Sequence, residues 1–497
     1  MTKFKRSSGA LLHPTSLPGP YGIGDFGEEA YRWIDFLDET GTGLWQLLPL
    51  GPTGFADSPY QNFSAFAGNP LLISIDGLCK EGLISKADLR NMPRFLADQV
   101  DFGGLIPWKM ALLEKAYAKF VDDDSHADDL HFFNQCSQSW LDDYALFMAL
   151  KEAHNGLPWV AWEPKLRLRD AGALDAARAT YREAVDRHHF YQFMFFRQWQ
   201  RLRAYAAEKN VKIIGDVPIY VSHDSSDVWS NPDLFLLDES GQPTAVAGVP
   251  PDYFTPTGQL WGNPLYRWEV HKADGFEWWV NRMRAAFELF DIVRLDHFRG
   301  FVGYWEVPAD HETAEHGHWV SGPGEDLFNA LLNKLGDLPL IAEDLGEITP
   351  EVFALRDKFG FPGMKILQFA FDGDPNHPFL PENYPENSVV YTGTHDNEPV
   401  MGWYQNAEEQ FRQNACEYLS ADEDNIYWKM IEAIWRSRAV MAIAPMQDLL
   451  GLGNEARMNL PGQKFDNWAW RMQASDLDEA LRGGLKELNR RSKRFTR

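Results

Sequence analysis

The sequence predicts an α/β protein framed on a closed (β/α)8 TIM barrel, and three observations point there. Short, almost wholly apolar runs recur along the 497 residues, helical patterns separate them, and about eight such pairs are present. Strands apolar on both faces belong to parallel sheets covered by helices on each side. Eight repeats favour closure into a barrel over the competing arrangement, an open doubly wound sheet. Length alone allows either about three domains or one elaborated barrel.

The repeats run as follows. Residues 9–12 read as a short buried strand, followed by a loop rich in Pro and Gly. A helix then starts near Gly27, with Asp25 and Glu28 spaced as a capping box, Ala30, Trp33, Ile34 and Leu37 on its apolar face, and Gly41 at its end. LWQLLPL from Leu44 resumes a strand and completes the first strand-helix-strand unit. Later, HHFYQFMFFRQWQRLRAYAAEK precedes KIIGDVPIY, and EWWVNRMRAAFELF precedes DIVRLDHF. A helix over 325–335 precedes LPLIAED. Another, capped by Thr349, has Pro350 in its first turn and Gly360 past its end, before MKILQFAF. VVYTGTHD and AVMAIAPMQD supply the last candidate strands.

Two stretches break this rhythm. Residues 58–186 are too long for a loop and carry helical patterns such as WKMALLEKAYAKFV and SWLDDYALFMALKEA, so they read as an inserted helical subdomain over the barrel mouth. Residues 222–269, with PPDYFTPTGQLWGNPLY, are dense in Pro, Gly, Asp and aromatics and read as an inserted loop region over the active site. The acidic run DDDSHADD reads as a solvated turn and the basic end LNRRSKRFTR as an exposed final helix.

Composition narrows the function. A net charge of -25 repels nucleic-acid phosphates and anionic lipid, so no nucleic acid and no membrane are expected as partners, and a neutral substrate is favoured. Nineteen Trp and 14% aromatic residues suit stacking on sugar faces, and suit a large aromatic core nearly as well. Cys79, Cys136 and Cys416 are far apart and show no metal spacing, so reduced thiols and no zinc site are expected. The apolar stretch near the start is too short for a signal peptide and no run reaches membrane-spanning length, which makes the cytoplasm the expected location.

The chemistry lies where apolar runs stop at carboxylates: Asp296 in DIVRLDHFRG, Glu343 in LPLIAEDLGE and Asp396 in VVYTGTHDNE. A charge delivered to the rim of a sheet is costly unless a reaction or partner uses it. Alternation along DIVRLDHF projects Arg294 and Asp296 to the same side. A guanidinium beside a carboxylate keeps it ionised, which suits Asp296 to be a nucleophile, while apolar surroundings push a carboxyl such as Glu343 upward and keep it protonated. Such a pair cleaves glycosidic bonds. Each residue also has a structural role open to it: Arg294 with Asp296 as a barrel ion pair, Glu343 with Asp344 as helix N-terminal acids, Asp396 as a loop cap. A dinuclear metal hydrolase is a rival, since Asp296, His297, Glu343, Asp344, His395 and Asp396 could ligate, although no HExxH-like spacing is present. A non-catalytic glucan-binding protein is a third reading, made improbable by the complete set of carboxylates.

GDVPIYV, DIVRLDHFRGF, IAEDLG and GTHDNEP resemble the regions around barrel strands three, four, five and seven of the α-amylase superfamily, in the form typical of amylomaltases, the 4-α-glucanotransferases. HPTSLPGPYGIGDFG, DSPYQNFSAFAGNP, PPDYFTPTGQLWGNPLY, LLGLGNEARMNLPG and NWAWR extend the resemblance over essentially the whole chain. The resemblance implies Asp296 as nucleophile, Glu343 as general acid/base and Asp396 as transition-state stabiliser on ring hydroxyls, with Arg294 orienting Asp296. It further implies sugar contacts from His395 and Asp216, stacking by Tyr60 beside the nucleophile, and a mobile loop carrying Asp252, Gln259 and Trp261. Phe369 would be an aromatic wall on the acceptor side, and Asn459 and Asn467 loop contacts. Packing in a core or loop is the plain alternative for Tyr60 and Trp261; their Pro/Gly-rich segments favour sugar contact.

Implied too are α-1,4-glucans and maltooligosaccharides as partners, transfer to an acceptor 4-hydroxyl by double displacement, no cofactor, no metal, and a monomer or weak homo-oligomer. An α-1,4-glucan hydrolase is the alternative. Double displacement calls for catalytic carboxyls about 5 to 5.5 Å apart. GDVPIYVSHD lacks the DxxxNH pattern of α-amylases, little chain follows the last strand to form a C-terminal β-sandwich, and no Asp-rich loop suggests calcium.

Overall fold

In a computed structural model, residues 4–123, 126–251, 255–463 and 465–495 are described. The strands among them are β1 (Ser7–Leu11), β2 (Leu44–Gln46), β3 (Lys212–Pro218), β4 (Ala245–Val249), β5 (Gln259–Pro264), β6 (Ile292–Asp296), β7 (Gly303–Pro308), β8 (His318–Ser321), β9 (Leu340–Ala342), β10 (Gly363–Ile366), β11 (Ser388–Tyr391) and β12 (Met441–Pro445). Eight of them close a parallel barrel in the order β1-β12-β11-β10-β9-β6-β3-β2. Each barrel strand thus lies beside the next one in the chain, the arrangement that repeated strand-helix units produce.

The first unit shows how local sequence sets this geometry. Helix Glu28–Thr40 buries Ala30, Trp33, Ile34 and Leu37. Burial of each large side chain contributes roughly 1.5–3 kcal/mol. Gly41 ends the helix at φ 72°, a left-handed conformation that any side chain would strain. The expected capping box is absent: Asp25 accepts instead from the Gly27 amide at 2.8 Å and the Ile75 amide at 3.4 Å, and lies 3.7 Å from the buried Lys109 ammonium. An acid placed to cap one helix is taken by a fully buried lysine and a second helix start, because an unpaired charge inside costs more than an uncapped end. At helix Pro350–Phe359, Gly360 closes with φ 69° as expected, while Thr349 occupies the cap position without its side chain capping.

Residues 58–186 contain helices Phe102–Phe120, Ala127–Cys136, Leu141–Ala153 and Ala171–Thr180. They pack on helix Arg182–Glu208, which leads into β3, so the boundary at 186 falls inside a continuous helix. Gln192, wholly buried, donates to the Gly68 carbonyl and accepts from the Gly68 amide, tying that helix to the loop after β2.

Within 222–269 the structure has regular elements as well as loops. β4 and β5 join β7 and β8 in an antiparallel sheet of order β5-β4-β7-β8. AVAGV and QLWGNP are short and interrupted by Gly and Pro; they pair with each other, and β4 also pairs with β7 from farther along the chain.

The C-terminal end departs furthest from the reading of an exposed helix. Helix Glu479–Arg491 buries Leu481, Leu485, Leu488 and Asn489. Beyond it the Arg494 side chain is fully buried and donates to the carbonyls of Ser7, Trp435, Ser437, Ala439 and Val440. The basic tail therefore locks the N-terminal ends of β1 and β12.

Candidate active site

Asp216, Arg294, Asp296, Glu343, His395 and Asp396 lie on or just past the C-terminal ends of barrel strands, the face where such barrels carry their chemistry. Asp216 on β3 and Arg294 on β6 are register partners on adjacent strands, so their side chains leave the sheet on the same face. Both are buried; Arg294 Nη1 bonds Asp216 Oδ2 and Nη2 lies 2.8 Å from Asp296 Oδ1. One guanidinium thus bridges two carboxylates in the fork geometry that distinguishes Arg from Lys. Burial opposes its charge, yet Asp216 and Asp296 hold Arg294 well above its ordinary pKa. Burial pushes the Asp216 carboxyl upward, to about 7, with Arg294 pulling the other way. The Asp216 side chain has 0% exposure and also accepts from the Tyr60 hydroxyl at 2.9 Å. The side chain implied as a sugar contact is thus closed off from solvent and held by Arg294 and Tyr60.

Glu343 directly follows β9, and backbone bonds stitch it to the end of β6: its amide donates to the Leu295 carbonyl at 3.1 Å and its carbonyl accepts from Phe298 at 3.0 Å. Its carboxyl accepts from the His297 amide at 2.8 Å and from the Leu345 amide at 2.9 Å. The residue after Asp296 therefore positions Glu343. His297 adopts left-handed φ 51°, a conformation that costs roughly 1–3 kcal/mol in a non-glycine residue and that is kept where surrounding structure dictates it. Burial, reinforced by Asp296, pushes the Glu343 carboxyl up to about 8, against Arg294 and the two amides. Burial also lowers His297 to about 4. Asp344, the neighbour of Glu343, faces the barrel wall and bonds Arg356 and the Met364 amide.

Asp396 lies on the turn after β11, with its side chain 45% exposed. Asn459 Nδ2 donates to its Oδ1 at 2.6 Å, His395 Nε2 lies 3.3 Å from its Oδ2, and Arg457 donates to its carbonyl at 2.7 Å. Asn459 and Arg457 come from the long excursion after β12. Tyr60 stacks on the His395 ring at 5.2 Å and 11°, and Trp468 leans on both rings at 5.9 and 6.0 Å. Burial lowers the His395 pKa while Asp396 opposes that shift.

Gln259 and Trp261 sit on β5, with the indole NH donating to Gln259 Oε1 at 3.1 Å and the Trp261 ring edge-on to His297 at 4.8 Å. Asp252 lies outside the described residues. Phe369, 45% exposed, ends the turn Leu367–Phe369 after β10. Asn467 is occupied within its own loop: it accepts from the Leu460 amide at 3.0 Å and donates to the Gln463 carbonyl at 2.9 Å. Its neighbours Asp466 and Trp468 both have positive φ, so Asn467 holds the turn that carries Trp468 inward.

Sequence reasoning missed Trp468, Arg457, His297 as the donor to Glu343, and Gln46, which accepts from the buried Tyr391 hydroxyl at 2.9 Å across the barrel. NWAWR and LLGLGNEARMNLPG marked the segments of Trp468 and Arg457, and His297 stood out only as a possible metal ligand. Among the described residues, no group of three or more His, Cys, Asp or Glu is arranged to hold a metal ion.

The arrangement offers a carboxylate gripped by a guanidinium, a second carboxyl that stays neutral to above pH 7, a third half-exposed carboxylate, and aromatic rings beside them. That is the equipment for acid-assisted nucleophilic displacement at an acetal carbon. The family model described as 4-alpha-glucanotransferase matches residues 12–477. A 4-alpha-glucanotransferase from Synechocystis sp. is 51% identical over 487 residues, covering 97% of this chain and 96% of that protein. One from Thermus thermophilus is 51% identical over 482 residues, covering 95% and 96%. The amylomaltase from Streptococcus agalactiae, solved in complex with acarbose, superposes with TM-score 0.96 at 43% identity, covering 99% of this chain and 100% of that one.

Proposed function

The chain belongs to the 4-α-glucanotransferase family, and from that premise we propose how its residues divide the work. The enzyme is a 4-α-glucanotransferase acting on glucans. Asp296 is the nucleophile, Glu343 the acid and then the base, and Asp396 the stabiliser of ring hydroxyls in the transition state. The bridging of Asp216 and Asp296 by Arg294 is the observation that carries this assignment, because it fixes one carboxylate oxygen and leaves the other to react.

In the first step an Asp296 oxygen bonds to the anomeric carbon as the bond to the leaving 4-oxygen breaks, and Glu343 delivers its proton to that oxygen. Glu343 can do this at neutral pH because burial keeps it protonated. In the second step the acceptor 4-hydroxyl gives its proton to the Glu343 carboxylate and attacks the same carbon, freeing Asp296. Two inversions retain the α configuration.

Asp216 acts here by orienting Arg294 and Tyr60, not by touching sugar. His395 and Tyr60 form one wall beside the reacting ring, and Asn459 aims Asp396. Trp261 and Gln259 line the approach from the β4–β5 side, Phe369 faces the acceptor, and Asp252 is a further sugar contact. Asn467 contributes through its loop. These aromatic edges favour a glucan acceptor over water, since only the glucan gains binding energy there. The helical segment 58–186 and the segment 222–269 cover the mouth in this reading. Maltooligosaccharides are the donors and acceptors, and the working form is a monomer or weak homo-oligomer. The three free thiols, and the absence among the described residues of any helix long and apolar enough to cross a membrane, support a cytoplasmic setting.

Feeding maltotriose alone tests the reading. Glucose with a ladder of longer maltooligosaccharides is expected; shorter sugars alone, with rising reducing ends, would refute transfer in favour of hydrolysis.

A further inference from the structure

Away from the mouth, a groove of about 600 Å³ opens on the outer wall between helices Ile426–Arg436, Met446–Leu449 and Glu479–Arg491. Tyr427 and Trp428, both half-buried, face into it. Gly484 lies against the Trp428 ring, where an added Cβ would stand 3.2 Å from the indole, so the glycine gives the ring its seat. Leu449 and Leu450 border one side, Ser475 and Asp476 another. Those two borders are the ends of the excursion that brings Asn459 and Trp468 to the mouth.

Four acids line the groove, and each is already held. Glu432 is paired with Lys429 and Arg436, and Glu487 with Arg490 and Arg491. Asp478 accepts from the Leu481 amide at 2.8 Å and Asp476 from the Gln473 amide at 2.8 Å. Acceptors fixed in advance lose little side-chain entropy on binding. The Lys and Arg beside Glu432 and Glu487 offset most of the field that would draw a cation, and the four carboxylates at the lining disfavour an anion. What suits the groove is a neutral molecule with an apolar face for the rings and hydroxyls at its edge for the carboxylates.

We propose that this groove is a second glucan-holding site, taking a segment of an α-1,4-glucan while the mouth works elsewhere on the same polymer. The identity of the ligand rests on the transferase reading above, since a glucan is the molecule this protein already handles. Holding a long chain at two places raises its effective concentration at the mouth, and a short sugar gains nothing.

Two variants test it: Trp428→Ala, which removes the platform, and Ser475→Arg, which fills the groove from an exposed position and so leaves folding intact if the first variant fails. Retardation in native gels containing glycogen, and KM for amylose against KM for maltotriose, are the readouts. Both variants should weaken glycogen retardation and raise KM for amylose by about 5–10-fold, a small part of what linking two sites can give, with maltotriose kinetics unchanged within about twofold. Unchanged retardation in Ser475→Arg overturns the site, and so does an equal loss on amylose and maltotriose, which would place the effect in the mouth. If the wild type fails to disproportionate maltotriose, the transferase reading falls, while the retardation comparison still decides the groove.

Discussion

Arg294 and Arg494 are both sealed in the barrel, one near each end, and their surroundings differ in one respect. Arg294 is bracketed by carboxylates, Asp216 and Asp296, at the end where the strands finish. Arg494 meets only backbone carbonyls, at the end where β1 and β12 begin. Charge partners hold the first above its ordinary pKa, whereas burial, with Arg6 nearby, pushes the second below it. A buried guanidinium among neutral carbonyls closes off strand ends, and one between acids, in the proposed mechanism, organises a reaction. The pair teaches that burial and hydrogen bonding alone do not mark a functional arginine; the charge of its partners does.

Substitutions at the two ends should separate these roles. Asp296→Asn is expected to lower kcat on maltotriose by ~10⁴-fold or more, with melting temperature and circular dichroism close to wild type. A variant that stayed within tenfold of wild type would break the contrast at its catalytic end. Arg494→Met should do the reverse. Losing the guanidinium from five carbonyls, of which Trp435 and Ala439 keep Arg6 and Val440 keeps the Ser7 amide, costs on the order of 3 kcal/mol, read as a lower melting temperature, while kcat per folded molecule is kept. Asn459→Ala should leave stability alone and reduce kcat by roughly 10–100-fold, because a misaimed Asp396 loses transition-state contact; Asn459→Asp, which puts like charge beside Asp396, should be no better.

The pH profile sharpens the same contrast. In the proposed mechanism Glu343 acts protonated, so kcat/KM should fall as pH rises through about 8. An acid whose folded pKa is raised stabilises the fold fully below its unfolded value near 4.5 and loses that contribution as pH rises through about 8. Wild-type melting temperature should therefore decline across this window more than that of Glu343→Gln, and parallel curves would sink the assignment. The smallest effect is for chelation: dialysis against EDTA should leave the maltotriose rate unchanged within experimental scatter, and a loss restored by divalent metal would reopen the metal-hydrolase reading.

Much of the barrel was legible because its signals are local. Apolar strand runs, the helix face of Ala30, Trp33, Ile34 and Leu37, and the closing glycines Gly41 and Gly360 each depend on neighbours within a few residues. The strand ends carrying Asp296 and Glu343 were readable for the same reason, as apolar runs interrupted by an acid. The sheet of β4, β5, β7 and β8 was not, since its strands are weak alone and the pairing of β4 with β7, Ala245 against Pro308, joins segments far apart in the chain. Asp25 misled because its spacing suits a cap, while Lys109, far along the chain, arrives to claim it.

By itself the sequence determined which elements build the barrel, in what order, and which carboxylates stand at the strand ends, because propensity, periodicity and chain order act over short distances. Only tertiary structure decided that Asp216 is closed off from solvent between Arg294 and Tyr60, that the His297 amide holds Glu343, that Asn459 and Trp468 return to complete the wall at Asp396 and Tyr60, and that Arg494 is buried. Each of these joins groups from separate strands or excursions. Which partner a buried charge finds is settled by the closure of the whole barrel, where leaving any charge unpaired is the more costly outcome.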